Sequence, residues 1–183
     1  MNSEQWLSHL STEAIIQRAQ FIQRIRSFFA ERHVSEVETP LLASSAVSDS
    51  QIESMSCKAP DQRWLRTSPE YFHKRLLASG SGDIYELGKV FRAGETGRWH
   101  NPEFTMLEWY RVGWTYHQLM EEVEALVRLL LNQESANWTS QKLSYRALHQ
   151  AILNIDPFTL NNDDWIQLAQ SHGLNSADCE TLA

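Results

Sequence analysis

The chain has 183 residues, of which 42% are hydrophobic and 21% charged; this excludes disorder and suffices for a core in one domain, or one domain plus part of a second. No apolar run approaches the roughly 20 residues of a membrane helix, and the N-terminal stretch MNSEQWLSHLSTEAII has no basic segment leading into an apolar core, so neither membrane insertion nor secretion is expected and the location is read as cytoplasmic. The net charge of -7 argues against nonspecific nucleic-acid binding, which depends on clustered Lys and Arg releasing counterions.

From Thr12 to Arg32, Ile15, Ala19, Ile22, Ile25 and Phe29 recur three or four residues apart, which predicts an amphipathic helix. VSEVETP follows as a short extended piece that stops at Pro40, and the Ser-rich ASSAVSDS reads as loop. Cys57 and Cys179 belong to no CxxC pair and the seven histidines show no HxxxH spacing, so neither a zinc site nor a disulfide framework is expected and no metal ligand is assigned. In RTSPEYFHKRLLASG, Ser68 is placed to cap a helix, with Pro69 at its first position and Gly80 closing it. Between Arg63 and Arg98 seven basic residues face four acidic ones, a local positive field suited to a small polyanion such as a nucleotide, or else a solvated basic face.

The runs IYELGKVF and EFTMLEWY predict two antiparallel strands joined by a long polar loop containing Gly94, Gly97, Asn101 and Pro102. Such loops more often hold ligands than merely connect. TYHQLMEEVEALVRLLL opens with Thr115 and Gln118 in capping-box spacing and carries Leu119, Val123, Leu126, Val127 and Leu130 on one face. Two shorter helices, near Ser144 to Leu153 and Asp163 to His172, flank a turn at Pro157. Helices interleaved with antiparallel strands give an α+β class.

A period of two places Arg92 with Gly88 and Glu86, and on the return strand Phe104, Met106, Glu108 and Tyr110 together. If both sets lie on one side of the sheet, an arginine, two acids, a phenol and an aromatic ring converge beside a glycine that leaves room for a ligand. Arginine suits a carboxylate or phosphate, Glu108 an ammonium group, and Phe104 a nucleobase. The alternative is a salt-bridge cluster at the edge of the core, with Phe104 and Met106 as ordinary packing.

These stretches carry a resemblance to class II aminoacyl-tRNA synthetases. VFRAGETGRWHNPEFTMLEWYR resembles motif 2 in its lysyl form, near 90–111; EVETPLL after an amphipathic helix resembles motif 1, near 24–42; TSPEYFHKRLL resembles the segment that precedes motif 2. The likeness is to the branch that lacks an anticodon-binding domain and modifies elongation factor P, since only a short leader and one helix precede motif 1. It implies an antiparallel sheet flanked by helices, ATP and Mg2+ as cofactors, a homodimer built through motif 1, and no tRNA partner. The implied reaction activates lysine or (R)-β-lysine as an adenylate and passes it to a lysine of elongation factor P. Carried over by position, Arg92 would bridge the substrate carboxylate and the α-phosphate, Asn101 would contact the nucleotide, and Phe104 would stack on adenine. Ser68, Glu70, Glu108 and Tyr110 would line the amino-acid pocket, and Glu95 would reach adenine or the metal from a shifted backbone, because Ala93 and Gly94 intervene after Arg92. His33 stands where motif 1 has glycine. Motif 3, a glycine-rich strand and an arginine-bearing helix, is not found, so residues 1–183 are expected to form the N-terminal part of the catalytic domain. Alternatives are a lysyl-tRNA synthetase relative acting on tRNA, or a catalytically silent dimerisation or regulatory module.

Overall fold

Ser11 starts the first helix by accepting the Ala14 amide on its hydroxyl at 3.1 Å, the N-cap role that satisfies one orphan donor. The computed structural model describes residues 10–58, 60–131 and 140–174; Cys179 and the N-terminal residues up to 9 lie outside them, and Cys57 is a free thiol. Two units divide the chain, residues 1–136 and 137–183.

In the first unit α1 (Thr12–Ala30) is followed by β1 (Ser35–Glu36), β2 (Leu42–Ala43), β3 (Ser56–Lys58), β4 (Gln62–Leu65), α2 (Glu70–Ala78), β5 (Ile84–Phe91), β6 (Glu103–Tyr110) and α3 (Tyr116–Leu130). One sheet runs β1-β5-β6 and a second β2-β4-β3. The β5–β6 pair is antiparallel, as expected, with Glu86 opposite Glu108, Gly88 opposite Met106 and Val90 opposite Phe104. The β1–β5 pair is parallel, which corrects the expectation of an antiparallel sheet. The connection between them contains the whole second sheet and α2, long enough for a parallel crossover. The β3–β4 hairpin was not read from sequence, because its strands are short and Gln62 and Arg63 give no apolar alternation.

The two faces of β5–β6 do different work. Tyr85, Leu87, Leu107 and Trp109 pack with Ile25, Phe28 and Phe29 of α1 and Leu126 of α3. Phe29 is fully buried, stacked on Tyr85 with centroids 4.5 Å apart and 5.5 Å from Trp109. Glu86, Gly88, Met106 and Glu108 occupy the opposite face by register.

The turn leaving α1 keeps its shape without glycine. The Val34 amide donates to the Phe29 carbonyl and the His33 amide to the Ala30 carbonyl, with His33 at φ 57°, which is the Schellman pattern around a left-handed residue. At α2 the same pattern closes on Gly80, whose φ is 84°: its amide reaches Leu77 and that of Ser81 reaches Leu76. Ser68 differs from its expected capping role. Its hydroxyl accepts the Glu70 amide two residues on at 3.3 Å, and the cap position belongs to Pro69. Thr115 and Gln118 form the capping box of α3.

The second unit contains α4 (Tyr145–Leu153) and α5 (Asn162–Ser171), capped by Ser144 and by a capping box of Asn161 with Asp164. Arg146 pairs with Asp156 at 3.1 Å and lies over the Phe158 ring. Among the described residues no helix is long and apolar enough to cross a membrane.

Candidate active site

Backbone hydrogen bonds sew the segment between β4 and α2 to the end of β5 and to the residue before β2: the Phe91 amide donates to the Arg66 carbonyl, and the Arg66 amide to the Leu41 carbonyl, each at 2.9 Å. The start of α2, the strand face and the loop after β2 thereby enclose a cleft of about 670 Å³. Four of the expected site residues line it: Ser68, Glu70, Arg92 and Glu108.

Arg92 sits one residue beyond β5, its amide held by the Pro102 carbonyl at 2.9 Å. Its Nε donates to the Thr67 carbonyl at 3.4 Å, and its Nη1 lies 3.6 Å from Glu95. The Phe104 ring lies beside it, 5.3 Å from the guanidinium carbon. Tyr110 stands behind Glu108, donating its hydroxyl to Glu108 Oε1 at 2.8 Å. Burial, then the hydrogen bond and charge of Glu108, push that phenol up from its ordinary value, so it stays a donor. Phe104 and Glu95 thus reach the cleft only through Arg92. Asn101 is exposed on the loop, outside the cleft lining.

The glycine on this face has a different use from the one expected. A Cβ at Gly88 would lie 2.5 Å from Arg66 Nη2 and 3.0 Å from Glu86 Oε1, so the space it leaves is filled by the Arg66 guanidinium. Arg66 is buried, with Nη2 2.6 Å from Glu86 Oε1 and Nη1 2.6 Å from the Thr39 hydroxyl. Thr39 in turn donates to Glu86 Oε2 at 2.7 Å, and His73 Nε2 lies 2.9 Å from the same oxygen. Burial raises the Glu86 carboxyl, but hydrogen bonds from Arg66 and Thr39, the Arg66 charge and His73 outweigh it and hold the group below its usual range. Glu86 is therefore a buried structural anion, and Glu108 is the strand-face acid left for the cleft. Arg66, Thr39 and His73 were missed in the sequence; a glycine inside a strand is the one local signal of close approach, and it does not say what approaches.

Arg63, Arg75 and Arg92 line the cleft together with Asp49, Glu70 and Glu108, so cations and anions share one cavity, as a ligand carrying both an anionic and an ammonium end requires. An exposed ion pair to Lys74, which raises the lysine above its ordinary value, occupies Glu70. Among the described residues no group of three His, Cys, Asp or Glu side chains could hold a metal ion.

The model of the tRNA synthetases class II (D, K and N) family matches residues 5–172. A curated protein named elongation factor P–(R)-β-lysine ligase from Avibacterium paragallinarum is 41% identical, covering 98% of this chain and 57% of the relative. Proteins of the same name from Vibrio cholerae and Photorhabdus laumondii are 41% and 43% identical, each covering 96% of this chain and 55% of the relative. The chain thus spans about half the length of these relatives. With motif-bearing strands paired in register and the family model covering nearly its whole length, the chain belongs to the class II tRNA synthetase family of the D, K and N type.

Proposed function

We propose that the β5–β6 face binds the amino-acid and α-phosphate end of an adenylate-forming reaction. Lysine or (R)-β-lysine is activated with ATP and passed to a lysine of elongation factor P. The observation that carries this reading is the convergence of Arg92, Ser68, Glu70 and Glu108 on one cleft of about 670 Å³, in a chain similar to proteins named as ligases of this kind.

In this reading Arg92 grips the substrate carboxylate and the α-phosphate together. As the carboxylate attacks and pyrophosphate leaves, charge grows on the phosphate oxygens, and a fixed guanidinium stabilises it most at that moment. Glu108, oriented by Tyr110, and Glu70 pair with the ammonium groups, Glu70 exchanging its bond to Lys74 for the ligand's. Ser68 adds a hydroxyl at the pocket wall, and Phe104 offers its ring to adenine beside Arg92. Glu95 and Asn101 belong to the loop that closes over the nucleotide. Mg2+ would neutralise phosphate charge, and no residue of this chain is assigned to it. Exposed Ile15, Ile16 and Phe21 on α1 support a homodimer through that helix.

Calorimetric titration with a nonhydrolysable lysyl-adenylate analogue tests the reading on this chain. Binding that disappears when the analogue's side-chain amine is replaced by methyl is expected. Equal binding of both analogues would remove the amine-recognition role, and no binding of either would favour a dimerisation module without catalysis.

A further inference from the structure

His73 lies fully buried in α2 with a carboxylate at each ring nitrogen. Nε2 is 2.9 Å from Glu86 Oε2, Nδ1 is 3.5 Å from Glu108 Oε1, and the Tyr110 ring stands edge-on with centroids 5.4 Å apart. Because Arg66 and Thr39 already donate to Glu86, that group is a carboxylate and the nitrogen facing it carries a hydrogen. If that were the only ring hydrogen, Nδ1 would turn a bare lone pair toward Glu108 Oε1, acceptor against acceptor. Nδ1 has no hydrogen-bond partner in its present geometry and is out of contact with solvent, the condition under which an unmade bond is most costly. A proton between the two atoms turns this repulsion into a charge-assisted bond, which would close to about 2.8 Å.

The other charged neighbours allow it. Arg66 lies across Glu86 and is already paired with it. Glu70 and Lys74, on the histidine's own helix, pair with each other. With the added proton Arg66 and His73 face the buried Glu86 and the partly exposed Glu108; without it one cation faces two anions.

We propose that His73 is a positioning residue for amine selection: a proton on Nδ1 bridges to Glu108 Oε1 and, together with the Tyr110 hydroxyl, fixes that oxygen so that the carboxylate presents its other oxygen to an ammonium group in the cleft. The positioning role rests on Glu108 being the ammonium partner, whereas the bridging proton does not. Both described contacts of the Glu108 carboxylate fall on Oε1, and Glu108 lines the cleft, which is the arrangement such presentation needs.

The test is long-range nitrogen–proton correlation of the imidazoles in the nitrogen-15-labelled chain, with the His73 signal assigned by its loss in His73→Gln. Both ring nitrogens should carry a hydrogen at neutral pH, as the two facing carboxylates require. In Glu108→Gln, whose amide can donate to Nδ1, His73 should become neutral with its hydrogen on Nε2. A neutral ring at that pH in the unsubstituted chain, or a spectrum unchanged by Glu108→Gln, overturns the bridging proton. For the positioning role, lysine affinity should fall about 10-fold in His73→Gln and clearly less in His73→Asn, whose amide nitrogen takes the place of Nδ1. Binding of norleucine, which lacks the side-chain amine, should not change. Equal losses in the two variants at matched thermal stability, or loss of norleucine binding as well, overturn it. Failure of the unsubstituted chain to bind lysine would overturn the reading of the cleft and the positioning role together, while the spectra still judge the proton.

Discussion

Gly88→Ala tests the packing beneath the cleft. The added Cβ would sit 2.5 Å from Arg66 Nη2 and 3.0 Å from Glu86 Oε1, whereas ordinary contact begins near 3.4 Å. The guanidinium cannot simply swing aside. Its Nε donates to the Lys89 carbonyl at 3.0 Å, its Nη1 to Thr39, and its Nη2 to Glu86, with the side chain only 2% exposed. Overpacking alone costs about 1–3 kcal/mol, and complete rupture of a buried charge pair about 3–5 kcal/mol. A strained but surviving pair therefore predicts a loss of about 3 kcal/mol, or about 6–12 °C in melting temperature for a chain of this size. Urea unfolding followed by circular dichroism measures it. With Arg66→Leu in the background, the same glycine substitution should cost clearly less than it does alone, because the closest obstructing atom, Arg66 Nη2, is gone and Glu86 Oε1 at 3.0 Å is the tightest neighbour left. A single Gly88→Ala variant within about 0.5 kcal/mol of the unsubstituted chain would refute the claim that Gly88 exists to admit Arg66.

Three further outcomes follow from local geometry. His33→Gly should stabilise the chain by about 0.5–1 kcal/mol in the same unfolding assay, since it relieves a non-glycine residue at positive φ and returns part of the gain as unfolded-chain entropy; a loss of stability would mean that the imidazole contributes contacts outweighing the strain. The folded Glu86 carboxyl lies below its reference value of 4.5, so just beneath that pH the unfolded chain binds the extra proton and stability rises with pH. Its contribution is full above about pH 4.5 and is lost as pH falls through the folded value, so the stability gap between the unsubstituted chain and Glu86→Gln should narrow from about pH 4.5 downward; a constant gap would contradict the ion-pair account. Light scattering at tens of micromolar, roughly the range in which specific dimers persist, should give a dimer that Phe21→Glu converts to monomer; a monomeric unsubstituted chain would count against pairing through α1.

Much of the frame was legible because local periodicity dictates it. The first helix, expected from Thr12 to Arg32 and found over Thr12–Ala30, the paired strands with their alternating faces, and the α3 capping box all follow from spacings of two, three and four residues. Register turned the shared face of Gly88, Met106 and Glu108 from a condition into an observation. What sequence could not supply was the identity of the neighbour across a tertiary contact. Arg66 reaches Glu86 and Lys89 from another element, so Glu86 read as a ligand-facing acid and Gly88 as space for a ligand. His73 is invisible for the same reason: on a helix wheel it is one buried position, and only the fold places carboxylates at both nitrogens. The short β3–β4 pair is held by its surroundings, and its own residues carry no strand pattern.

The central claim is that one strand face grips carboxylate, α-phosphate and ammonium together, and ATP–pyrophosphate exchange measures that grip most directly. The assay compares this chain alone and joined to the C-terminal portion of the Photorhabdus laumondii relative, with lysine or (R)-β-lysine as the activated substrate. Exchange in the joined chain should fall by about 100-fold or more in Arg92→Ala, which removes a charge-stabilising donor, with unfolding behaviour unchanged. Glu108→Gln should instead weaken discrimination in favour of amine-bearing substrates by leaving a buried ammonium unpaired. Near-normal exchange by a folded Arg92→Ala variant would make the strand pair a structural salt-bridge cluster and contradict the adenylate-forming account.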